Sequence, residues 1–376
     1  MPRVVESRNV VPFLRAPVVG WGMARPARTC DVSAPDIVHR LAESSRIAVG
    51  PVHAARNRRG RSRRTGRGLL VLAGLMATMS ISVLLLTLSG SALASARPEL
   101  TGPYLGQARP GRTPCLFAPG VVSVSANFEH SAAVFSPDGR ELFWCTNVSM
   151  RSDPPGEGQR LYYMRQVDGI WTAPEIAPFT DGITVPVSRP VFSPDGNRLY
   201  IEYLSNPIAE SDTDIYVVER EADAWSAPVS VSPRINTRAI ERLHCVTSDG
   251  SLVFSRDPFT SREKIYISRF VDGVFTEPEE LGDPFDSAAS ELAIVIAPDE
   301  SYLLVAVTQG GFTDELYVSY KKPDGSWTER IRVPFGSGGF LALSPDGEYM
   351  FFLGEGIYWV DTSFVEELRT QADAAN

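Results

Sequence analysis

Eight residues before each of five recurring turn aspartates (Asp138, Asp195, Asp249, Asp299 and Asp346) stand His130, Val187, Glu241, Glu291 and Gly338. Glu129, Arg189 and Arg242 lie beside them. Residues at one fixed offset from a repeated landmark occupy equivalent places, so a closed array of repeats would gather them at one point. Three carboxylates, an imidazole and two guanidiniums could bind a cation, a sugar or a peptide terminus. The same groups could instead satisfy one another as Glu–Arg pairs around a watery channel. A third reading is chemical: Glu129, Glu241 and Glu291 as the acid and base of a glycosidase. Nothing in the spacing fixes the separation of any two of these carboxylates.

No other constellation in the chain carries chemistry. G-x-S-x-G, H-E-x-x-H, the phosphate-cradling G-x-x-x-x-G-K-[ST], a dinucleotide fingerprint in its βαβ context and a complete EF-hand loop do not occur. Asp212-Thr213-Asp214 is a calcium fragment without its remaining ligands, and reads more simply as the turn that starts a strand. Neither a metal site nor a cofactor is expected.

The elements that must position these groups are repeats. VFSPDGRELFW (134–144), VFSPDGNRLYIEY (191–203), VTSDGSLVFSRD (246–257), IAPDESYLLVAV (296–307) and LSPDGEYMFFLG (343–354) place their aspartates 57, 54, 50 and 47 residues apart. A second landmark follows each turn, in LYYMRQ (161–166), IYVVER (215–220), IYISRF (265–270), LYVSYK (316–321) and IYWVDT (357–362), each alternating as a half-buried strand does. Trp171, Trp225, Phe275 and Trp327 then recur nine or ten residues after the tyrosine, with Pro174, Pro228 and Pro278 beyond the first three. The S-P-D-G run presets a tight turn, with Pro fixing φ, Asp accepting backbone N–H bonds and Gly taking the left-handed conformation. Asp168-Gly169, Asp272-Gly273 and Asp324-Gly325 mark a second hairpin in three repeats.

Each repeat thus reads as four antiparallel strands, and five of them around an axis make an all-β, five-bladed β-propeller over residues 113–362. The last repeat lacks its outer strand, and Thr113–Pro119 resembles the outer strand WTAPEIAPF (171–179). The N-terminal strand is therefore expected to complete the last blade and remove an open sheet edge. The turn aspartates are expected to cap their own turns. Tyr162, Tyr216, Tyr266, Tyr317 and Tyr358 are expected at packing positions between blades, with a carbohydrate-stacking platform as the alternative.

The S-P-D-G turn, its following apolar pair and the [IL]-Y strand resemble the TolB-like, WD-type propeller repeats of bacterial exported proteins. The resemblance covers all five repeats, about two thirds of the chain, and implies a fold far more than a function, since such repeats serve both as periplasmic scaffolds and as domains attached to peptidases. Only 14 residues follow the last repeat (363–376), too few for a hydrolase domain. Thr247-Ser248-Asp249-Gly250 lacks the proline and Ala297-Pro298-Asp299-Glu300 the glycine, so looser turns are expected in repeats three and four.

Charge divides the chain. Residues 1–96 hold 14 Arg against 4 acids, +10, and residues 97–376 hold 22 basic against 41 acidic groups, −19. A body that acidic disfavours nucleic acid. RNRRGRSRRTGR (56–67) followed by LLVLAGLMATMSISVLLLTL (69–88) and SGSALASA has the layout of a basic n-region, an apolar h-region and a small-residue cleavage site at Ala94–Ala96. Cleavage near there, or retention as one N-terminal transmembrane anchor over 69–96, both place the body across the membrane, periplasmic or extracellular. Ser62-Arg63-Arg64 matches a twin-arginine signal only in part. The expected organisation is a basic, disordered region at 1–67, a signal or anchor at 68–96, a linker at 97–112, the propeller at 113–362 and a tail at 363–376. Beyond the signal, Cys115, Cys145 and Cys245 are too few and too widely spaced for a disulfide framework or a zinc site and read as buried apolar residues, with one bridge possible but no pair chosen. The function expected is a non-catalytic binding or scaffold module for a protein, peptide or glycan; the alternative is a carbohydrate-active enzyme.

Overall fold

The computed structural model describes residues 99–124, 128–147, 159–183, 186–204, 213–258, 262–286, 290–308, 315–335 and 339–375. The expected targeting region, residues 1–96, lies outside them.

Five small antiparallel sheets form the blades of a β-propeller. Blade one runs outward from Phe128–Glu129 and Val134–Phe135 through Glu141–Asn147 and Gln159–Val167 to Glu175–Ile176. Blade two is Val187–Phe192, Arg198–Leu204, Thr213–Glu221 and Val229–Ser230, and blade three Ile240–Val246, Leu252–Asp257, Lys264–Ser268 and Glu279–Glu280. Blade four is Ser290–Ile296, Tyr302–Thr308, Glu315–Tyr320 and Ile331–Arg332. Blade five has Leu341–Leu343, Tyr349–Leu353 and Ile357–Asp361, and its outer strand is Cys115–Leu116, as the truncated fifth repeat requires.

That strand pairs Cys115 with Trp359 and Leu116 with Tyr358. Phe117 N donates to Ile357 O at 2.8 Å, and Ser123 Oγ both donates to Ile357 O (3.2 Å) and accepts from Ile357 N (3.0 Å). Gly356 is required by this approach: a Cβ there would lie 2.8 Å from Leu116 Cδ1 and 3.3 Å from Ser123 Cβ.

The core is split into five clusters, one for each interface between neighbouring blades. The landmark tyrosines pack against a different cluster each, Tyr162, Tyr216, Tyr266, Tyr317 and Tyr358 in turn. They are packing residues, as expected. The turn aspartates also do what their turns need. Asp195 accepts from Ser193 Oγ (2.6 Å) and Asn197 N (3.0 Å), and these bonds, Ser193 first, hold its carboxyl below the usual range.

Three expectations are corrected. The third and fourth turns are not looser: Gly250 N reaches Thr247 O at 2.9 Å and Glu300 N reaches Ala297 O at 2.8 Å. Glu300 takes the left-handed φ of 56° that glycine takes elsewhere, and Lys321 Nζ, 2.8 Å from its carboxylate, ties the side chain down. The stretch read as a linker at 97–112 contains a latch. Tyr104 sits edge-on to Phe135 and Tyr349 at 5.1 and 5.2 Å, and Trp171 Nε1 donates to Gly102 O at 2.8 Å. The stretch read as a tail is the helix α1, Ser363–Ala375, which buries Phe364 and Val365 against blades four and five. Both corrections have one cause: two or three apolar side chains dock a short segment without any period long enough to read.

Ring closure should be the stability bottleneck. Phe117, fully buried against Phe135, Phe351 and Trp359, is expected to cost about 3–5 kcal/mol as Phe117→Ala. Urea unfolding of the full chain measures this; a loss below about 1 kcal/mol would mean that the closing strand contributes little.

Candidate functional site

The axis carries three adjoining cavities. A charged mouth of about 210 Å³ is lined by His130, Ser188, Arg189, Glu202, Arg242 and Phe340, among others. A waist of about 20 Å³ follows, sharing Arg189 and Phe340 with the mouth. Beyond it lies a chamber of about 250 Å³, at the end of the axis where the S-P-D-G-type turns meet, to which all five blades contribute.

The inner strands position these groups by breaking their own alternation. Registers shift between Ser188 and Val191 and between Leu243 and Cys245, at similar distances before the turns of blades two and three, and between Glu291 and Ala293, about two residues earlier, in blade four. A bulge of this kind re-aims a side chain that a regular strand would send into the inter-blade core. Arg189, at the first, has a φ of 46°, and Phe340, at the start of blade five, a φ of 72°. Left-handed conformations at non-glycine residues are costly and cluster at functional sites. Here the two strained residues touch: the Arg189 guanidinium lies 4.3 Å from the Phe340 ring centroid, and the His130 ring is 5.2 Å from the same ring.

The mouth is held by two ion pairs. Arg189 Nε lies 3.2 Å from Glu202 Oε1, and Glu202 also accepts from Ser188 Oγ (3.1 Å) and Leu243 N (2.8 Å). Burial raises the Glu202 carboxyl above its ordinary value, against the opposing pull of Arg189. Arg242 Nη1 lies 3.0 Å from Glu263 Oε1, which also accepts from Ser255 Oγ. Burial, and then the Arg189 charge, lowers His130.

Of the residues singled out in the sequence, His130, Arg189 and Arg242 come together at the mouth. Glu129 is buried and accepts from Val124 N at 2.9 Å. Glu241 is wholly buried, accepting from Thr237 Oγ1 (2.6 Å) and Arg256 Nε (2.9 Å), and does not line the axis cavities. Glu291 belongs to the strand Ser290–Ile296, opposite Val307, and its side chain lies outside the described residues, as does Asp212 of the calcium-like fragment. Sequence reasoning missed Glu202, Phe340 and His244. Glu202 is on the second strand of its blade and reads as an ordinary outward polar residue; Phe340 follows a glycine run. His244 had one usable signal, since the body holds only two of the chain's four histidines.

Among the described residues no cluster of three or more His, Cys, Asp or Glu is arranged to hold a metal ion. Cys145 and Cys245 are free, buried thiols. No helix among the described residues is long and apolar enough to cross a membrane.

No protein-family model and no curated protein matches the chain. Solved structures similar to it include a TolB candidate from Agrobacterium tumefaciens, at 18% identity over 64% of this chain and 76% of that one, with a TM-score of 0.41. One of two prolyl endopeptidases aligns at 12% identity over 65% of this chain but 34% of its own, with a TM-score of 0.37. The periplasmic gluconolactonase of Pseudomonas aeruginosa aligns at 17% identity over 60% of this chain and 64% of its own, with a TM-score of 0.34. Likenesses at this level say nothing of what the chain binds.

The two arginines should differ sharply in what their loss costs. Arg189→Met strands the buried Glu202 and is expected to cost about 3–5 kcal/mol, whereas Arg242→Met opens a part-exposed pair and should cost about 1 kcal/mol or less. Equal midpoints of urea unfolding would refute the ranking. A second expectation concerns pH. His244 lies well below its ordinary value, by burial first and then the charges of Arg189 and Arg242. Unfolded histidine protonates near pH ~6.5 while the folded imidazole does not. Protons then favour the unfolded chain, and stability contributed by neutral His244 falls as pH drops from about 7.5 to about 5.5. His244→Leu should show a smaller loss than the parent over this range; identical losses would mean that His244 titrates normally in the fold.

Proposed function

We propose that the protein is an exported, non-catalytic binding module that takes an extended group of a peptide, protein or glycan partner at its charged mouth. The observation that carries this reading is the stacked pair of strained residues, Arg189 and Phe340, at a polar opening of about 210 Å³. Backbone strain at two neighbouring side chains persists only where the surroundings over-determine it, and here those surroundings are the rigid ring. Arg189, Arg242, Ser188 and His130 are thereby held in one arrangement before a ligand arrives, which lowers the ordering cost of binding. Export rests on the n-region and h-region pattern at 56–96.

The carbohydrate-active alternative has less support. A glycosidase needs two carboxylates poised over one bond, yet of the candidates Glu129 and Glu241 are buried off the axis cavities, Glu129 accepting from Val124 N and Glu241 from Thr237 and Arg256.

The test presents the full chain with panels of short peptides and acidic and neutral glycans, reading both binding and turnover. Saturable binding of one class, weakened about tenfold or more by Arg242→Ala through a lost charged hydrogen bond, with the ligand recovered intact, is expected. Hydrolysis of a glycan would instead establish the enzyme reading, and binding indifferent to Arg242→Ala would move the site away from the mouth.

A further inference from the structure

The opposite end of the axis has a different chemistry. The chamber of about 250 Å³ is walled by Phe135, Val191, Val246, Val295, Ala297 and Leu343. Its rim is set by Pro137, Pro194, Pro298 and Pro345, each the proline of a turn. The hydroxyls that line it are already in use. Ser193 and Ser344 donate to Asp195 and Asp346, Thr247 to Asp249, and Ser248 to Glu300.

One polar side chain of the wall is not committed. His244 lines both the waist and the chamber and is 6% exposed, and among the described residues neither of its ring nitrogens has a hydrogen-bond partner. Leaving such a buried group unsatisfied is costly, so native structures seldom do it without a bound water or a ligand. The bulge between Leu243 and Cys245 is what turns this imidazole toward the axis, so the strand has departed from its regular register to put it there.

The character of a ligand follows from the walls. An apolar cavity of about 150 Å³ is enough to hold benzene, so this chamber accommodates a single ring with a substituent. A cation would find no carboxylate among the residues that line the chamber. A carboxylate would be stripped of water against walls that offer no charge partner. A neutral imidazole presents one donor and one acceptor, and a hydroxyl group matches either nitrogen.

We propose that the chamber is a binding site for a small, neutral, single-ring aromatic alcohol, with its ring among the valines and prolines and its hydroxyl on His244. The site is separate from the mouth, and its existence does not depend on the function proposed for that end.

The test uses the full chain with ¹⁵N-labelled histidine, titrated with p-cresol and, separately, with toluene, by calorimetry and by NMR of the imidazole resonances. Saturable binding of p-cresol about tenfold tighter than that of toluene is expected, one hydrogen bond being worth that much. The His244 resonances should shift and those of His130 should not. His244→Leu should abolish the preference for p-cresol while retaining toluene, and His244→Gln, which keeps a donor and an acceptor, should retain part of it. Equal affinities for the two probes, a preference that survives His244→Leu, or no saturable binding would each overturn the proposal, the last leaving ordered water as the partner of His244. The comparison of the two probes on the unmodified protein decides the matter even if a variant fails to fold.

Discussion

The structure depends on one short pairing, Cys115–Leu116 against Ile357–Asp361. A fifth blade without its outer strand would present an open edge and leave the interface between blades five and one half built. That interface holds the largest fully buried side chain among the described residues, Trp359, together with Phe117 and Phe351. Because each cluster lies between two blades, the loss of one interface opens the ring rather than thinning a common core. The latch at Tyr104, whose hydroxyl donates to Asp346 Oδ2 at 3.1 Å, covers the same seam from outside the sheets. Closure is therefore stabilised three times over, by backbone pairing, by aromatic packing and by the latch.

A closed ring fixes where the inner strands lie and leaves little freedom in what they show to the axis. Strict alternation would send every second residue into an inter-blade cluster, and five strands of Val, Ile and Leu would line the centre with more of the same. The bulges supply the exception. They place Arg189 at the mouth and His244 between waist and chamber without disturbing the pairing on either side, where Val191 still meets Tyr200 and Cys245 still meets Val253.

This explains how far the sequence could be read. The blades were legible because an S-P-D-G turn can be made by few residue combinations, and because a tyrosine that packs between blades must recur with the blade. The closing strand was legible because Thr113–Pro119 looks like the outer strands that it replaces. Counting back from the turn aspartates located the mouth and found His130, Arg189 and Arg242, since a ring converts equal offsets into equal heights. It could not tell which way each side chain points. Glu241 precedes a bulge and turns to Arg256, whereas its neighbour Arg242 faces the axis, and a period of two with an inserted residue looks in the sequence like an unbroken strand. Glu202 was illegible for a different reason: its partner Arg189 is 13 residues away and on another strand, and no local pattern marks a polar residue that will be buried by a neighbouring blade.

The waist gives the axis its logic. At about 20 Å³ it holds roughly one water molecule, and its walls include Pro190, Leu243 and Ala293, whose neighbours are packed inter-blade core. Widening it would require moving inner strands that are fixed from both sides, and interiors packed to that density do not deform gradually. The mouth and the chamber are thus two compartments rather than one tunnel. Only fields cross between them: burial first, and then the charges of Arg189 and Arg242 from above, hold His244 well below its ordinary value, which suits an imidazole that must offer both a donor and an acceptor to an apolar space.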